Sequence, residues 1–446
     1  LRWYDEKKQG VAEVHYAQYA QDLRRFVAFL RAEYGDVRGK RVAILARNSY
    51  QYVICMYGTV IAGAVAVPLN LGKDWDAISY ELGLTEPVCI LQDGEFAERE
   101  PDLAETYGSI LKPMDVFAAY EPAEDVTEVE DLSALAFIMF TSGTTGRSKG
   151  VMLSQKNLFS AMPAFLDPFD DVKKYTGWNT DEFSSLSALP MFHISAMTSL
   201  VSWSITGHSI NLCNNLKYFY RDLGAMHSDV MKGRRDRLNG LCVLTCGAAM
   251  FDPKMLSDMM DKGFFVAQMY GLTETCGDGA WNSSQEAKYL TSVGHVDLSC
   301  EYKLDDGELC MRGDPIMLGY YKDPEGTAEV IDADGWFHTG DIARVEEDGY
   351  MYLTGRKKNV IILDSGENVS PEELEKLLVP CADIQECIVK EKDKKICALI
   401  YCDPAKQETV KEFVTGVNRG LPLYKRMVPK LSAQPLPRNA MGKLLR

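Results

Sequence analysis

Apolar and polar residues in the first two thirds of the chain alternate between helical and strand-like spacing. Apolar positions that recur every three or four residues predict helices over 16–34 and 50–61. Short apolar runs bounded by turn residues predict buried strands over 41–45, 64–68, 87–91, 135–140, 209–212 and 241–245. This alternation of strands and helices favours an α/β fold, with a large N-terminal domain built on parallel-rich sheets.

The spacing of apolar residues changes beyond residue 307. Asp-Gly turn signals separate short apolar runs there, which predicts a small barrel-like β portion at the end of the N-terminal domain. The remainder predicts a small α+β domain, with strands at 360–363 and near Ile388 and Ala398, and helices over 371–378 and 409–418. The predicted domains are therefore 1–355 and 356–446, divided in the Gly-Arg-Lys-Lys cluster at 355–358.

The charge of the chain is negative and uneven. The chain has 48 Lys and Arg against 64 Asp and Glu, a formal net charge of −16, which argues against a nucleic-acid partner. Residues 356–446 instead hold 17 basic and 12 acidic residues, a net charge of +5. Two interpretations stay open: a basic lid that closes over a polyanion, or ordinary variation of surface charge.

The spacing of the cysteines and the hydropathy of the chain indicate the cellular compartment of the protein. The 12 cysteines include no Cys-x-x-Cys pair, which fits a reducing cytosol better than a zinc site or a disulfide framework. The most apolar stretch, 53–69, is better explained by a helix that runs into a buried strand than by a membrane span. No signal peptide is visible in a chain that begins at Leu1. We therefore expect a cytoplasmic protein without a transmembrane segment.

The most informative segment lies between predicted strands at 135–140 and 151–153. It ends in Lys149 and begins with six glycine or hydroxyl residues, Thr141, Ser142, Gly143, Thr144, Thr145 and Gly146. Glycine lets the backbone approach a ligand closely, and consecutive N–H groups form a concave anion site. A Walker loop differs, because it opens a helix. The alternative of a flexible surface turn explains the flanking strands and the lysine less well.

This segment, Thr-Ser-Gly-Thr-Thr-Gly-x-x-Lys-Gly, resembles the phosphate loop of the adenylate-forming superfamily. That superfamily includes acyl- and aryl-CoA synthetases, adenylation domains of peptide synthetases, and luciferases. The resemblance covers roughly residues 40–446, through motifs that follow in the family's order. It implies that ATP, Mg²⁺ and CoA are used and that the small C-terminal domain is a mobile lid.

Residues 270–274 read Tyr-Gly-Leu-Thr-Glu and resemble the family's Tyr-Gly-x-Thr-Glu motif. The resemblance implies that Tyr270 and Gly271 border the adenine base, where an aromatic ring can stack. It implies that Thr273 bonds phosphate and that Glu274 holds Mg²⁺ through carboxylate oxygen.

Two further segments extend the resemblance within the N-terminal domain. Gly247, Ala248 and Ala249 match the family's adenine shelf, where small residues let a flat base approach the backbone. The segment Pro-Met-Phe-His ends at His193 and matches a family motif whose histidine separates the acyl tunnel from the nucleotide. The alternative for His193 is a core histidine at the end of a strand.

The remaining motifs lie near and beyond the predicted domain boundary. Asp341 ends the segment Gly-Trp-Phe-His-Thr-Gly-Asp and, by resemblance, binds the ribose hydroxyls. Arg356 matches the arginine that contacts ribose and phosphate, and Lys358 occupies the family's hinge position. By resemblance, Gly366 borders the channel for the thiol, and Lys443 approaches the reacting carboxylate and the α-phosphate.

The resemblance implies an AMP-forming acid–thiol ligase that makes an acyl adenylate and passes the acyl group to CoA. Amino-acid-activating members carry an aspartate soon after the phenylalanine of Pro-x-Phe, and Phe192 is followed by His-Ile-Ser. An acid without a free α-amino group is therefore favoured, and the sequence of residues 208–223 resembles that of fatty-acyl-CoA synthetases, which implies a fatty acid. An aryl or succinylbenzoate-type acid, transfer to the phosphopantetheine of an acyl carrier protein, and a non-enzymatic nucleotide sensor are the alternatives.

Overall fold

The computed structural model describes the chain apart from residues 6–9, 95, 97, 99–100, 127–130, 142–146, 181–182, 188, 207, 213–222, 234–240, 248–251, 297–298, 364–366, 393–394, 439–443 and 445–446. The described residues form two compact units. Unit 1 comprises Leu1–Glu301 and Met311–Phe337, and unit 2 comprises Tyr302–Cys310 and His338–Arg446. The division at residues 355 and 356 stays a prediction.

Helices and strands alternate through most of the described chain. The α-helices are α1 (Tyr16–Tyr34), α2 (Tyr50–Ile61), α3 (Trp75–Thr85), α4 (Asp102–Tyr107), α5 (Gln155–Ser160), α6 (Met162–Thr176), α7 (Ile194–Thr206), α8 (Leu223–Met231), α9 (Pro253–Asp261), α10 (Pro324–Ala328), α11 (Pro371–Lys376) and α12 (Gln407–Arg419). The strands of the first half are β1 (Arg2–Asp5), β2 (Gly10–Glu13), β3 (Arg41–Leu45), β4 (Val65–Pro68), β5 (Cys89–Gln92), β6 (Leu111–Pro113), β7 (Leu135–Thr141), β8 (Lys149–Ser154), β9 (Ser184–Ser187) and β10 (Ser209–Leu212). The later strands are β11 (Val243–Gly247), β12 (Phe265–Gly271), β13 (Gly279–Asn282), β14 (His295–Val296), β15 (Glu301–Asp305), β16 (Glu308–Arg312), β17 (Gly319–Tyr320), β18 (Phe337–Val345), β19 (Met351–Arg356), β20 (Ile361–Ile362), β21 (Asn368–Val369), β22 (Ile384–Lys392), β23 (Lys395–Cys402) and β24 (Val428–Ser432).

A seven-stranded sheet forms the centre of unit 1, in the order β17-β8-β7-β4-β3-β5-β6. The strands from β7 to β6 run parallel, and β8 turns back antiparallel to β7. Val65 and Val67 of β4 are fully buried and pack in one cluster with Ile78 and Leu82 of α3. Every residue of β4 is buried, as is typical of parallel strands covered on both faces. The carboxyl ends of β4 and β7 therefore lie side by side at one edge of the sheet.

Two four-stranded sheets complete unit 1. One has the order β11-β12-β13-β14, with β11 and β12 parallel and the other pairs antiparallel. The other has the order β2-β1-β10-β9. Because β11 and β12 are parallel neighbours, the segments that follow them begin at the same edge of their sheet.

Unit 2 contains a four-stranded sheet, β15-β16-β18-β19, a pair, β20-β21, and a three-stranded sheet, β22-β23-β24. The β22-β23 pair is antiparallel, and β24 lies parallel to β23. Its core packs helices α11 and α12 against this last sheet, through Leu374, Val389, Ile400, Val410 and Val414. These residues are at most 1% exposed in the folded chain.

The predicted α/β class, with large N-terminal and small C-terminal domains, is confirmed by this fold. Helices 16–34 and 50–61 occur at the predicted bounds, and the predicted strands occur within a few residues of theirs. Helix α3 was not among the predicted elements, because Glu81 on its buried face and Gly83 interrupt the apolar pattern.

The apolar stretch 53–69 consists of the end of α2, a turn and β4. Among the residues that the structure describes, no helix combines the length and the apolar character needed to cross a membrane. The eleven cysteines within this described part are all free thiols.

Candidate active site

The predicted phosphate loop joins two paired strands. Thr141 ends β7, Lys149 begins β8, and the two residues are antiparallel partners. Ser142, Gly143, Thr144, Thr145 and Gly146 lie outside the described residues. The loop is therefore flanked by a strand on each side, as predicted. Lys149 is the cross-strand partner of Thr141, the first residue of the loop.

Lys149 and Glu274 come from distant parts of unit 1, and both contact one tyrosine, Tyr320. The ammonium nitrogen of Lys149 lies 4.6 Å from the centre of the Tyr320 ring, a cation–π distance. The hydroxyl of Tyr320 donates a 3.0 Å hydrogen bond to Oε1 of Glu274. Lys149 also lies 3.6 Å from a carboxylate oxygen of Asp323. The structure thus brings together the loop lysine and the carboxylate of the second motif.

Tyr320 belongs to none of the motifs predicted from the sequence. It belongs to β17, which pairs with β8 so that Tyr320 lies opposite Val151, two residues after Lys149. Burial and the neighbouring Glu274 carboxylate raise the pKa of Tyr320, so the phenol stays protonated and keeps donating its hydrogen bond. The Gly-Tyr-Tyr sequence at 319–321 is the only local signal, and it does not reveal that its strand pairs beside the loop.

The Tyr-Gly-Leu-Thr-Glu segment begins at the end of β12. Tyr270 is 8% exposed, and the chain then turns into a short 3-10 helix, Thr273–Thr275, which carries Thr273 and Glu274. A Cβ atom on Gly271 would overlap the carbonyl oxygen of Gly277, so this close approach of two backbones requires glycine. The turn also receives a hydrogen bond of 2.8 Å from the Met317 amide to the carbonyl of Glu274.

The predicted adenine shelf begins next to this segment. Gly247 ends β11 and is the register partner of Met269 in β12, the residue before Tyr270. A Cβ atom on Gly247 would lie 3.2 Å from the carbonyl oxygen of Met269, which is tighter than most such contacts. Gly247 and Tyr270 are therefore neighbours across two parallel strands, whereas Ala248 and Ala249 lie outside the described residues.

His193 immediately precedes helix α7, and its carbonyl oxygen accepts the amides of Ala196 and Met197 in the helix's first turn. The rings of Phe192 and His193 are 5.1 Å apart. The His193 side chain is accessible to solvent, and its desolvation by surrounding protein atoms lowers its pKa. Neutral imidazole is therefore favoured.

Asn48 holds the segment that ends in His193 and was not predicted to do so. Its side-chain amide donates to the carbonyl of Leu189 at 2.8 Å and accepts from the amide of Met191 at 2.9 Å. Two opposed hydrogen bonds from one side chain fix the backbone on both sides of Pro190. This contact joins residues far apart in sequence, so no local pattern indicates it.

In unit 2, Asp341 and Arg356 form an ion pair. They are register partners in the antiparallel strands β18 and β19, and Nε of Arg356 lies 2.8 Å from Oδ1 of Asp341. The Asp341 side chain is 7% exposed and that of Arg356 is 38% exposed. Arg356 also donates to the carbonyl of Thr339 at 3.2 Å. The two predicted ribose ligands thus lie together.

A buried glutamate holds the segment before Asp341. Glu308 accepts hydrogen bonds from Lys357 at 2.7 Å, from the His338 ring at 3.0 Å and from the Gly340 amide at 3.0 Å. Burial alone would raise the pKa of Glu308, and these donors outweigh it, so its pKa lies below the ordinary value. Glu308 therefore orders the turn that presents Asp341.

The last predicted positions fall at or beyond the short 3-10 helix Lys357–Asn359. Lys358 lies in this helix and is exposed to solvent. Gly366 and Lys443 lie outside the described residues. Their roles at the thiol channel and at the reacting carboxylate stay predictions.

With this geometry in place, comparison with known proteins identifies the class. The sequence model of the AMP-binding enzymes matches residues 6–321. The chain belongs to this family, and its predicted place in the adenylate-forming superfamily is confirmed.

Curated relatives of this chain include ligases of an acid to CoA, the predicted class of enzyme. The long-chain-fatty-acid–CoA ligase FadD13 of Mycobacterium tuberculosis is 28% identical over 495 residues, covering 100% of this chain and 94% of the relative. The 2-succinylbenzoate–CoA ligase of Bacillus licheniformis is 28% identical over 474 residues, covering 98% and 95%. The alignment with FadD13 is longer than this chain of 446 residues, so the relative has stretches with no counterpart here.

Solved structures share the fold. The o-succinylbenzoate CoA synthetase MenE of Bacillus subtilis, in complex with an acyl-adenylate intermediate, superposes with a TM-score of 0.78 at 24% sequence identity. The superposition covers 96% of this chain and 91% of that structure. At this identity the likeness concerns the fold.

Proposed function

We propose that this protein is an AMP-forming acid–CoA ligase that activates a fatty acid. The observation that carries the proposal is the junction at Tyr320, which joins the loop lysine, Lys149, to the motif carboxylate, Glu274. Chemistry on the phosphates of ATP needs a cation for phosphate and a carboxylate for its metal ion, and here both groups contact the same tyrosine. The CoA-ligase relatives support the choice of reaction.

The first step forms the acyl–phosphate bond. A carboxylate oxygen of the acid attacks the α-phosphorus of ATP, the bond to the bridging oxygen breaks, and pyrophosphate leaves with its electron pair. The acid is already ionised near neutral pH, so no general base is needed. The difficulty is that one anion approaches another, and Lys149 with the loop amides would offset that charge.

Glu274 is the residue that would hold Mg²⁺. Its carboxylate oxygens are the ligand type that Mg²⁺ prefers, and Oε1 accepts the hydrogen bond from Tyr320 that holds the side chain in place. When bound, the ion neutralises phosphate charge during displacement. Thr273, beside Glu274, would contribute a hydroxyl to phosphate.

The second step transfers the acyl group to the thiol. The sulfur attacks the acyl carbon, the bond to the phosphate oxygen breaks, AMP leaves and the thiol proton is lost. Lys443 would serve the first step and the Gly366 segment the second. We propose that rotation of residues 356–446 about Lys358 exchanges them.

The acid is proposed from the surroundings of His193. Its lowered pKa favours an uncharged ring, and Ile194 and Ser195 follow it without a carboxylate to bind an amino group. An aryl or succinylbenzoate-type acid is the second candidate, because one relative is a 2-succinylbenzoate–CoA ligase.

A carrier-protein phosphopantetheine could replace CoA as the acceptor, since both present the same thiol arm. A role in fatty acid metabolism in the cytoplasm belongs to this proposal.

The test is pyrophosphate release from ATP and Mg²⁺ across a panel of acids. The panel should contain straight-chain fatty acids from acetate to stearate, benzoates, o-succinylbenzoate and amino acids, each with and without CoA. We expect release with a maximum at one aliphatic chain length and an increase on adding CoA. A maximum at an aromatic acid would replace the fatty acid by the second candidate.

A holo-carrier protein in place of CoA tests the acceptor. Faster thioester formation with the carrier than with CoA would assign the acceptor to a carrier. Absence of release with every acid, in protein that binds ATP, would contradict the ligase proposal and favour a nucleotide sensor.

Asp341→Ala is expected to weaken ATP binding about tenfold, because it removes an acceptor for the ribose hydroxyls and leaves Arg356 without its carboxylate partner. Isothermal titration with ATP measures the loss. Glu347→Ala, which removes an exposed carboxylate of the same sheet region, is the control and should bind as the wild type does. Unchanged affinity in Asp341→Ala would remove Asp341 from the ribose role.

A further inference from the structure

A buried ion pair in unit 1 has no part in the chemistry derived above. The ammonium group of Lys73 pairs with the carboxylate of Glu81, and their side chains are 8% and 0% exposed. Burial raises the pKa of Glu81. Taking two charges out of water is costly, and a buried pair is weak evidence for stability, so a role in fixing geometry is the better explanation.

The topology of the main sheet places this pair beside the phosphate loop. Strands β4 and β7 are parallel neighbours, joined at Ala66 and Phe137. The chain that leaves β4 reaches Lys73 just before helix α3, and the chain that leaves β7 returns through Ser148 into β8. Both segments therefore emerge at the same edge of the sheet.

Arg147 and Ser148, which precede Lys149, contact Tyr80 of α3 and Lys73, the residue that pairs with Glu81 of α3. Nζ of Lys73 donates to Oγ of Ser148 at 3.1 Å, so the residue that pairs with Glu81 also holds Ser148. Next to them, the Arg147 guanidinium lies 5.1 Å from the centre of the Tyr80 ring. The entry to β8 is therefore fixed to a helix whose core residues are fully buried.

We propose that Lys73, Glu81 and Ser148 are positioning residues that fix the entry of β8 and so place Lys149 for the phosphates of ATP. This inference rests on the role proposed above for Lys149. The pair has no net charge, so it acts through the position of Lys149 and adds no attraction of its own. Removing these residues should therefore weaken the binding of a ligand that carries phosphates and leave the binding of a phosphate-free ligand unchanged.

The test compares two variants by titration with ATP and with adenosine, which has no phosphate. Ser148→Ala keeps the ion pair and removes its link to the loop. The double variant Lys73→Met with Glu81→Leu removes the pair without changing net charge, and similar apolar replacements of buried pairs have preserved folding. Lys73→Arg, which keeps a cation, is the rescue control, and thermal unfolding verifies that each variant is folded.

We expect both variants to bind ATP ten- to a hundredfold more weakly, the order of effect that a displaced binding group produces. The affinity for adenosine should be unchanged in both variants. The Lys73→Arg variant should bind ATP more tightly than the double variant does. Wild-type ATP affinity in either folded variant would overturn the proposal, as would an equal loss for adenosine. These titrations need no turnover, so a failure of the proposed ligase activity in the wild-type protein would be seen separately.

Discussion

Glu274→Gln is expected to lower pyrophosphate release by about 10²–10³-fold in a protein that folds normally. Glutamine has the size of glutamate, and its amide oxygen can still accept the hydrogen bond from Tyr320. It lacks the negative charge that would hold Mg²⁺. The rate of release, measured over a range of Mg²⁺ concentrations, should reach half of its maximum at a higher concentration than in the wild type.

Two control variants separate the metal role from other effects. Tyr320→Phe removes the donor to Glu274 and retains the carboxylate, so it should change the rate far less. Glu325→Gln neutralises an exposed carboxylate on α10 and should leave the Mg²⁺ dependence unchanged. An identical Mg²⁺ dependence in Glu274→Gln and the wild type would mean that Glu274 does not hold the metal ion.

Much of the fold follows from local sequence. Helices α1 and α2 and strands β3 and β10 have the predicted bounds because their apolar spacing is regular and turn residues limit them. Helix α3 escaped prediction because a charged residue, Glu81, occupies a fully buried position. Its charge is paired with Lys73, eight residues earlier, and local periodicity does not contain that information.

The candidate site likewise contains residues that could be predicted from the sequence and residues that could not. Residues that act within a contiguous motif, such as Lys149, Glu274 and Asp341, could be proposed from sequence, and the structure places Lys149 and Glu274 around one ring. Residues that connect motifs could not. Tyr320 and Asn48 each act across more than 40 positions of the chain, through contacts that exist only once the sheets have formed.

Lys443→Ala is expected to lower adenylate formation by about 10²–10³-fold and to leave thioester formation from a supplied acyl adenylate near the wild-type rate. The prediction rests on charge. In the first step a carboxylate approaches a polyanion, so an ammonium group beside both offsets their repulsion. In the second step the thiol attacks the acyl carbon of an adenylate whose phosphate carries a single negative charge, so this repulsion is much smaller.

The two half-reactions are measured apart. Pyrophosphate release from ATP and the acid reports the first, and conversion of a chemically prepared acyl adenylate with CoA reports the second. Lys430→Ala removes a cation from the exposed face of β24 and is the matched control, expected to alter neither rate. Equal loss of both half-reactions in Lys443→Ala would contradict a role limited to the first.

A substitution at Lys358 should give the opposite defect. Proline there fixes φ and removes an N–H group in the 3-10 helix Lys357–Asn359, which would restrict rotation at this point. Lys358→Ala loses the same side chain without restricting the backbone, so it should retain both half-reactions. If Lys358→Pro keeps adenylation and loses thioester formation while Lys443→Ala does the reverse, the two steps use different arrangements of residues 356–446. If both variants lose adenylation alone, Lys358 belongs with the adenylation machinery and the proposed rotation is wrong.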